Sequence, residues 1–76
     1  MKIEILGTGC TKCKALEEAT KQAVAMSGKF AQIEKVDDLQ KIMAYGVMST
    51  PGLVIDGVVK STGRVLSVDE IVALLG

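Results

Sequence analysis

The sequence predicts an α/β fold in which one four-stranded mixed sheet carries helices on both faces. Three observations support this fold class. A short apolar strand runs into a glycine-rich turn and a helical pattern, the strand–helix alternation then repeats, and an Asp-Gly hairpin precedes a capped final helix. The element order is therefore βαβαββα, with the first two strands parallel and the last two antiparallel. We expect residues 1–76 to form a single domain.

The first half of the chain has the pattern strand, helix, strand. Residues 3–6 form a short apolar strand that stops at a glycine. A helical pattern begins at Thr11 and ends at Gly28, a residue well suited to a helix C-terminus. Residues 30–36 form a second strand, and its polar character places it at an edge of the sheet. The apolar stripe of the helix consists of Leu16, Ala19, Ala23 and Val24.

A second, shorter helix follows this strand. Asp37 or Asp38 can cap its N-terminus, and Gly46 ends it. Ordinary core packing is also the simplest interpretation of Met26 and Met48. The apolar side chains expected to point inward from this helix are Leu39, Ile42 and Met43.

The last third of the chain predicts a hairpin and a helix. Residues 52–55 form a buried strand, Asp56-Gly57 is a strong signal for a two-residue hairpin turn, and residues 58–61 return as the fourth strand. Residues 67–70 read Ser-Val-Asp-Glu, which is a capping box at the start of a helix. The apolar residues of that final helix are Ile71, Val72, Leu74 and Leu75.

Composition excludes several classes of function. Hydrophobic residues make up 49% of the 76 residues, which is enough for a small core without a staple. The 9 basic and 9 acidic residues cancel, so no nucleic-acid partner is expected. No signal peptide and no apolar run of the roughly 20 residues that span a membrane is visible. We therefore expect a cytoplasmic protein with no membrane partner.

The two cysteines are the most informative residues in the chain. Cys10 and Cys13 lie in the stretch Gly-Thr-Gly-Cys-Thr-Lys-Cys, at the turn between the first strand and the first helix. Free backbone N–H groups and the positive end of a helix dipole stabilise a thiolate at this position. Lys12 and Lys14 add modest, screened support. In a reducing compartment, this spacing favours a catalytic or metal-binding pair over a structural disulfide.

Two motifs together resemble the thioredoxin-like superfamily. One is the Cys-x-x-Cys in the first strand-to-helix turn, and the other is Ala-Tyr-Gly-Val-Met-Ser-Thr-Pro-Gly-Leu-Val-Ile-Asp-Gly over residues 44–57. The chain is most similar to the small, glutaredoxin-sized redox-active disulfide proteins of archaea and bacteria. The resemblance implies a thioredoxin-like domain with spatial strand order 2-1-3-4. The tyrosine and the Gly-Gly turn of glutaredoxins are missing, so a glutathione site is not implied.

The resemblance also implies an activity. The protein would be a thiol–disulfide oxidoreductase in which Cys10 attacks a substrate disulfide and Cys13 resolves the mixed disulfide. It would need no cofactor beyond the redox-active Cys10–Cys13 disulfide. Its partners would be proteins that contain disulfides and a reductase such as a thioredoxin-reductase-like flavoprotein. A monomer is the default expectation.

The resemblance implies roles for three further residues. In the family, the peptide bond before the corresponding proline is cis and its loop packs against the cysteines. Thr50 and Pro51 are therefore expected to dock a substrate peptide as a short added strand. Thioredoxins also place an acid six positions before the first cysteine, which makes Glu4 a candidate buried acid. Exposure of Glu4 to solvent beside Lys2 is the favoured alternative.

A soft-metal carrier that binds Cu(I) through the same two thiolates is the main alternative function. Domains of the heavy-metal-associated family also place a Cys-x-x-Cys loop between a first strand and a first helix. Those domains run βαββαβ and end in a strand, whereas this sequence ends in a capped helix and carries Pro51. A regulatory protein with a dormant disulfide is a third class. The redox function is the one that the sequence favours.

Overall fold

The computed structural model describes residues 1–76 and has the predicted order βαβαββα. None of its helices has the length and apolar character needed to span a membrane. The elements are β1 (Lys2–Leu6), α1 (Thr11–Ser27), β2 (Gln32–Val36), α2 (Leu39–Ala44), β3 (Gly52–Ile55), β4 (Val58–Thr62) and α3 (Val68–Leu75).

The four strands form one mixed sheet in the order β2-β1-β3-β4, which is the order that the resemblance implied. β1 pairs parallel with β2 and antiparallel with β3, and β3 pairs antiparallel with β4. Ile5 in the central strand therefore has Lys35 on one side and Leu53 on the other. The fold class is confirmed.

The larger core lies on the face of the sheet that α1 and α3 cover. Successive residues of a strand point to opposite faces, so Ile3 and Ile5 both point to this one. Leu16 and Ala23 of the predicted helix stripe are buried here, and Ala19 packs against them. The buried residues of this core are Ile3, Ile5, Leu16, Ala23, Leu53, Ile55, Leu66, Ile71 and Leu75.

A smaller core lies on the opposite face, beneath α2. Its buried residues are Leu6, Val36, Ile42, Val47 and Val54. The helix itself has only 6 residues, and Ile42 is its one buried side chain. α2 is therefore held to the sheet much more lightly than α1.

The expectation that Leu39 and Met43 point into the core is wrong. Leu39 is 62% exposed and Met43 is 70% exposed, and both line a groove that is open to solvent. No second element covers the outer side of α2, so apolar spacing alone does not bury these residues. Core packing is wrong for Met26 and Met48 as well, which are 68% and 99% exposed.

The second strand starts later than predicted. Phe30 is 99% exposed, and the strand begins at Gln32. Gln32 pairs with Lys2, the first residue of β1, so residues before Gln32 have no neighbouring strand to pair with. The position of β2 at the edge of the sheet agrees with the prediction.

Local signals fix the remaining turns as predicted. Asp56 and Gly57 both have positive φ, 50° and 81°, which is the backbone that a tight two-residue hairpin requires. The Asp56 side chain also accepts a hydrogen bond of 2.8 Å from the Lys2 backbone N–H, which ties the turn to β1. At α3, Ser67 and Glu70 form the complete capping box.

The capping box predicts a specific pH dependence of stability. The hydrogen bond from the Ser67 backbone N–H lowers the pKa of Glu70 below its usual value of 4.5. A carboxyl whose pKa is lower in the folded state stabilises the fold above its unfolded pKa, and this contribution disappears as the pH falls through the folded pKa. We predict that Glu70→Gln destabilises the protein at neutral pH and has little effect in strong acid. Urea unfolding of the wild type and Glu70→Gln, at neutral pH and in acid, gives the difference in their free energies of unfolding. A difference that is independent of pH would contradict the prediction.

Candidate active site

Cys10 caps the N-terminus of α1. Its backbone is extended, with φ −69° and ψ 166°, and its side chain is exposed. The Cys13 backbone N–H donates a hydrogen bond of 3.2 Å to the Cys10 Sγ. The sulfur therefore occupies the place where a Ser or Asp oxygen commonly caps a helix, and the first-turn N–H groups favour a negative charge on it.

Cys13 lies one turn into the same helix and is only 5% exposed. Its Cα is 5.0 Å from that of Cys10, and the two sulfurs are joined in a disulfide. A disulfide carried by another protein can therefore reach the sulfur of Cys10 but not that of Cys13. The pair thus consists of one accessible and one covered sulfur.

Gly7 explains why the sulfur of Cys13 is covered. A Cβ placed on Gly7 would overlap the Cys13 Sγ and would lie 3.1 Å from the Cys13 Cβ. The Gly7 N–H donates to the Val36 carbonyl at 2.9 Å, so the backbone here is fixed to β2. The end of β1 therefore passes directly against the second cysteine because residue 7 has no side chain.

The Thr50–Pro51 segment lies next to this contact. The same hypothetical Cβ on Gly7 would be 3.9 Å from the Thr50 Cβ. The Thr50–Pro51 peptide bond is cis, Pro51 is buried and Thr50 is exposed. The backbone N–H and C=O of Thr50 make no hydrogen bond within the chain. The structure therefore brings together Cys10, Cys13, Thr50 and Pro51.

The two predicted lysines have different positions. Both Lys12 and Lys14 are exposed, but only Lys14 lines the small cavity beside Cys13. The residues around this cavity are Ile5, Gly7, Gly9, Cys13, Lys14 and Lys35.

Lys35 is a site residue that the sequence did not reveal. It comes from β2, and its ammonium lies 3.7 Å from the carboxylate of Glu17, whose side chain is only 14% exposed. Lys35 lines the cavity beside Cys13 because it pairs with Ile5, two residues before Gly7. The register between β1 and β2 was the missing information, since no local sequence signal specifies it.

Glu4 is hydrogen-bonded to a residue at the end of α2. It has the opposite orientation on β1 to Ile5, which lines the cavity beside Cys13, so Glu4 faces α2 instead. Glu4 is half-buried, and its carboxylate accepts a hydrogen bond of 2.7 Å from the Tyr45 hydroxyl. Lys2 forms its ion pair with Glu34 at 3.3 Å rather than with Glu4. The structure therefore leaves Glu4 half-buried, with the Tyr45 hydroxyl as its hydrogen-bond partner.

Comparisons with known proteins agree with this geometry. A family model described as a thioredoxin domain matches residues 1–76. A thioredoxin from Methanothermobacter thermautotrophicus is 43% identical over 75 residues, which cover 99% of this chain and 97% of that protein. A thioredoxin from Methanocaldococcus jannaschii is 44% identical over 69 residues, which cover 91% of this chain and 79% of that protein. The element order, which ends in α3, also differs from the βαββαβ order of the soft-metal carriers.

The contact between Gly7 and Cys13 leads to a prediction about residue size. We predict that Gly7→Ala destabilises the oxidised protein by about 1–3 kcal/mol, because the added methyl must displace the sulfur or the backbone. Thr8→Ala is the matched control, since Thr8 is the exposed next residue. Urea unfolding of the three proteins measures the difference. Equal effects of the two substitutions would show that the sulfur is not confined at Gly7.

Proposed function

The chain belongs to the thioredoxin family and is a thiol–disulfide oxidoreductase, and from this premise we propose how its residues divide the reaction. Cys10 is the attacking nucleophile, Cys13 is the resolving thiol, and Thr50 with Pro51 docks the substrate. The observation that carries the proposal is the pairing of an exposed sulfur at the N-cap of α1 with a buried sulfur one turn later.

The reaction consists of two exchange steps. The thiolate of Cys10 attacks one sulfur of the substrate disulfide, the substrate S–S bond breaks, and its other sulfur leaves as a thiolate. Cys13 then loses its proton and attacks the Cys10 Sγ in the mixed disulfide, which releases the second substrate thiolate. Two electrons have passed to the substrate, and the protein holds the Cys10–Cys13 disulfide. A reductase returns this disulfide to the dithiol.

The N-terminus of α1 supports the role of Cys10. The N–H of Cys13 already points at the Cys10 sulfur at 3.2 Å, and this hydrogen bond strengthens when the sulfur carries a negative charge. Lys14, which lines the cavity beside Cys13, and Lys12 add positive charge. Because these lysines are exposed, salt screens their contribution more than that of the helix terminus.

The free backbone of Thr50 supports a docking role. Thr50 is exposed, its backbone N–H and C=O have no partner within the chain, and its Cβ lies beside the contact between Gly7 and Cys13. An extended peptide can pair with them as one short added strand, as peptides do at exposed sheet edges. Such main-chain pairing holds the disulfide over Cys10 without selecting a particular substrate sequence.

The partners follow from the same chemistry. As the relatives named thioredoxin imply, the protein acts with disulfide substrates and a reductase in general. We propose that residues 1–76 act as one monomeric domain with no cofactor, and that a thioredoxin-reductase-like flavoprotein returns the electrons. A cytoplasmic location suits this cycle, because a reducing compartment keeps the pair in the dithiol state.

Single cysteine variants test the division of roles. We predict that Cys13→Ser accumulates a mixed disulfide with a substrate such as insulin, because the first exchange step proceeds and the second cannot. Cys10→Ser should accumulate none. Mass spectrometry of the quenched reaction distinguishes the two variants, and trapping by Cys10→Ser instead would reverse the assignment.

A modified peptide substrate tests the docking role. We predict that N-methylation of the substrate amide that faces Thr50 raises KM about five- to tenfold, because one backbone hydrogen bond is lost. Methylation of the next amide along is the control, since alternate backbone groups of an extended strand point the other way. Steady-state kinetics gives KM for the unmethylated peptide and for the two methylated ones. Equal KM values for the three peptides would argue against pairing with Thr50.

A further inference from the structure

The Tyr45 hydroxyl forms a specific hydrogen bond that has no part in the reaction described above. Tyr45 is the C-cap of α2, and it donates to the Glu4 carboxylate in the central strand at 2.7 Å. The two residues are 41 positions apart in the chain and both are half-buried. A hydrogen bond from a hydroxyl to a carboxylate is stronger than one between neutral groups.

This hydrogen bond is the only one that joins α2 or its C-cap to the sheet. The remaining hydrogen bonds of the helix are local, and Ile42 is its single buried side chain. Elements with few buried contacts open more easily than the rest of a protein. The hydrogen bond between Tyr45 and Glu4 therefore has a large share in fixing the end of α2.

The end of α2 in turn determines the position of the docking loop. Only five residues separate Tyr45 from Pro51, and Met48, Ser49 and Thr50 make no backbone hydrogen bond. The C-terminal end of the loop is fixed, because the Gly63 N–H donates to the Pro51 carbonyl at 2.8 Å. The N-terminal end, next to α2, is fixed only by buried Val47 and by Tyr45.

We propose that Tyr45 and Glu4 are positioning residues for the reduction of protein disulfides, because their hydrogen bond holds the Thr50–Pro51 loop in the place where it receives a substrate peptide. The proposal rests on the docking role of Thr50 given above. It assigns Glu4 a role in binding the substrate and not in moving a proton at Cys13.

The protonation state of the Tyr45 hydroxyl suits this role. The hydrogen bond to Glu4 is the largest cause that raises the pKa of Tyr45 above its usual value of 10.0, followed by burial. The hydroxyl therefore stays protonated and continues to donate at neutral pH and above.

Three variants separate positioning from simple stability. Tyr45→Phe removes the donor, Glu4→Val removes the acceptor without leaving an unpaired carboxylate, and Glu4→Gln keeps an oxygen that can accept the same hydrogen bond. Ser67→Ala is the matched control, because it removes a hydrogen bond of the capping box at α3. For each protein, one measures KM and kcat for insulin with dithiothreitol as electron donor, and the rate of Cys10 alkylation by iodoacetamide.

We expect Tyr45→Phe and Glu4→Val to raise KM for insulin about three- to tenfold, while kcat and the alkylation rate stay close to those of the wild type. Glu4→Gln should keep a KM near that of the wild type. Ser67→Ala should lower the urea midpoint without changing KM.

Two results would overturn the proposal. The first is a Tyr45→Phe protein that loses stability as Ser67→Ala does but keeps its KM, which would make the hydrogen bond purely structural. The second is an unchanged KM for the peptide methylated opposite Thr50, which would remove the docking role and this proposal with it. The trapping of a mixed disulfide by Cys13→Ser would still stand in that second case, so the redox function is tested separately.

Discussion

The contact between Gly7 and the sulfur of Cys13 is the constraint on which the rest of the site depends. Because the end of β1 passes directly against this sulfur, α1 must start close to the sheet with its second cysteine facing inward. The first cysteine then lies at the helix N-cap and points outward. The same close approach leaves Thr50 next to the pair. One glycine thus distinguishes the two sulfurs and leaves room beside them for the Thr50–Pro51 segment, which we propose as the docking segment.

The two faces of the sheet serve different purposes. The face covered by α1 and α3 has the nine-residue core, and the helix that carries both cysteines packs against this core. The opposite face has the five-residue core and the short helix α2, which leads into the Thr50–Pro51 loop. The two cysteines therefore belong to a helix that packs against the larger core. The docking segment that we propose follows a helix with one buried side chain.

Most of the fold could be predicted because its signals are local. The capping box at Ser67, the Asp56-Gly57 turn and the glycine after α1 each specify their own stretch of backbone, and the structure agrees with them. The position of the two cysteines at a helix start is equally local. The features that escaped prediction depend on residues far apart in the chain. Lys35 lines the cavity beside Cys13 because of the register of two strands, and Tyr45 donates a hydrogen bond to Glu4, 41 positions away in the chain. The exposed Leu39 shows the same limit, since apolar spacing does not reveal whether another element covers a helix.

The sulfur of Cys10 is accessible, whereas the sulfur of Cys13 is confined against Gly7. Treatment of the reduced wild-type protein with a limiting amount of iodoacetamide, followed by peptide mass spectrometry, tests this claim most directly. The reagent is a small molecule and not a peptide, so the result reports on the two thiols independently of the docking role that we propose for Thr50. We expect the first label to appear on Cys10 while Cys13 remains unmodified. Labelling of Cys13 first, or of both cysteines at equal rates, would contradict it.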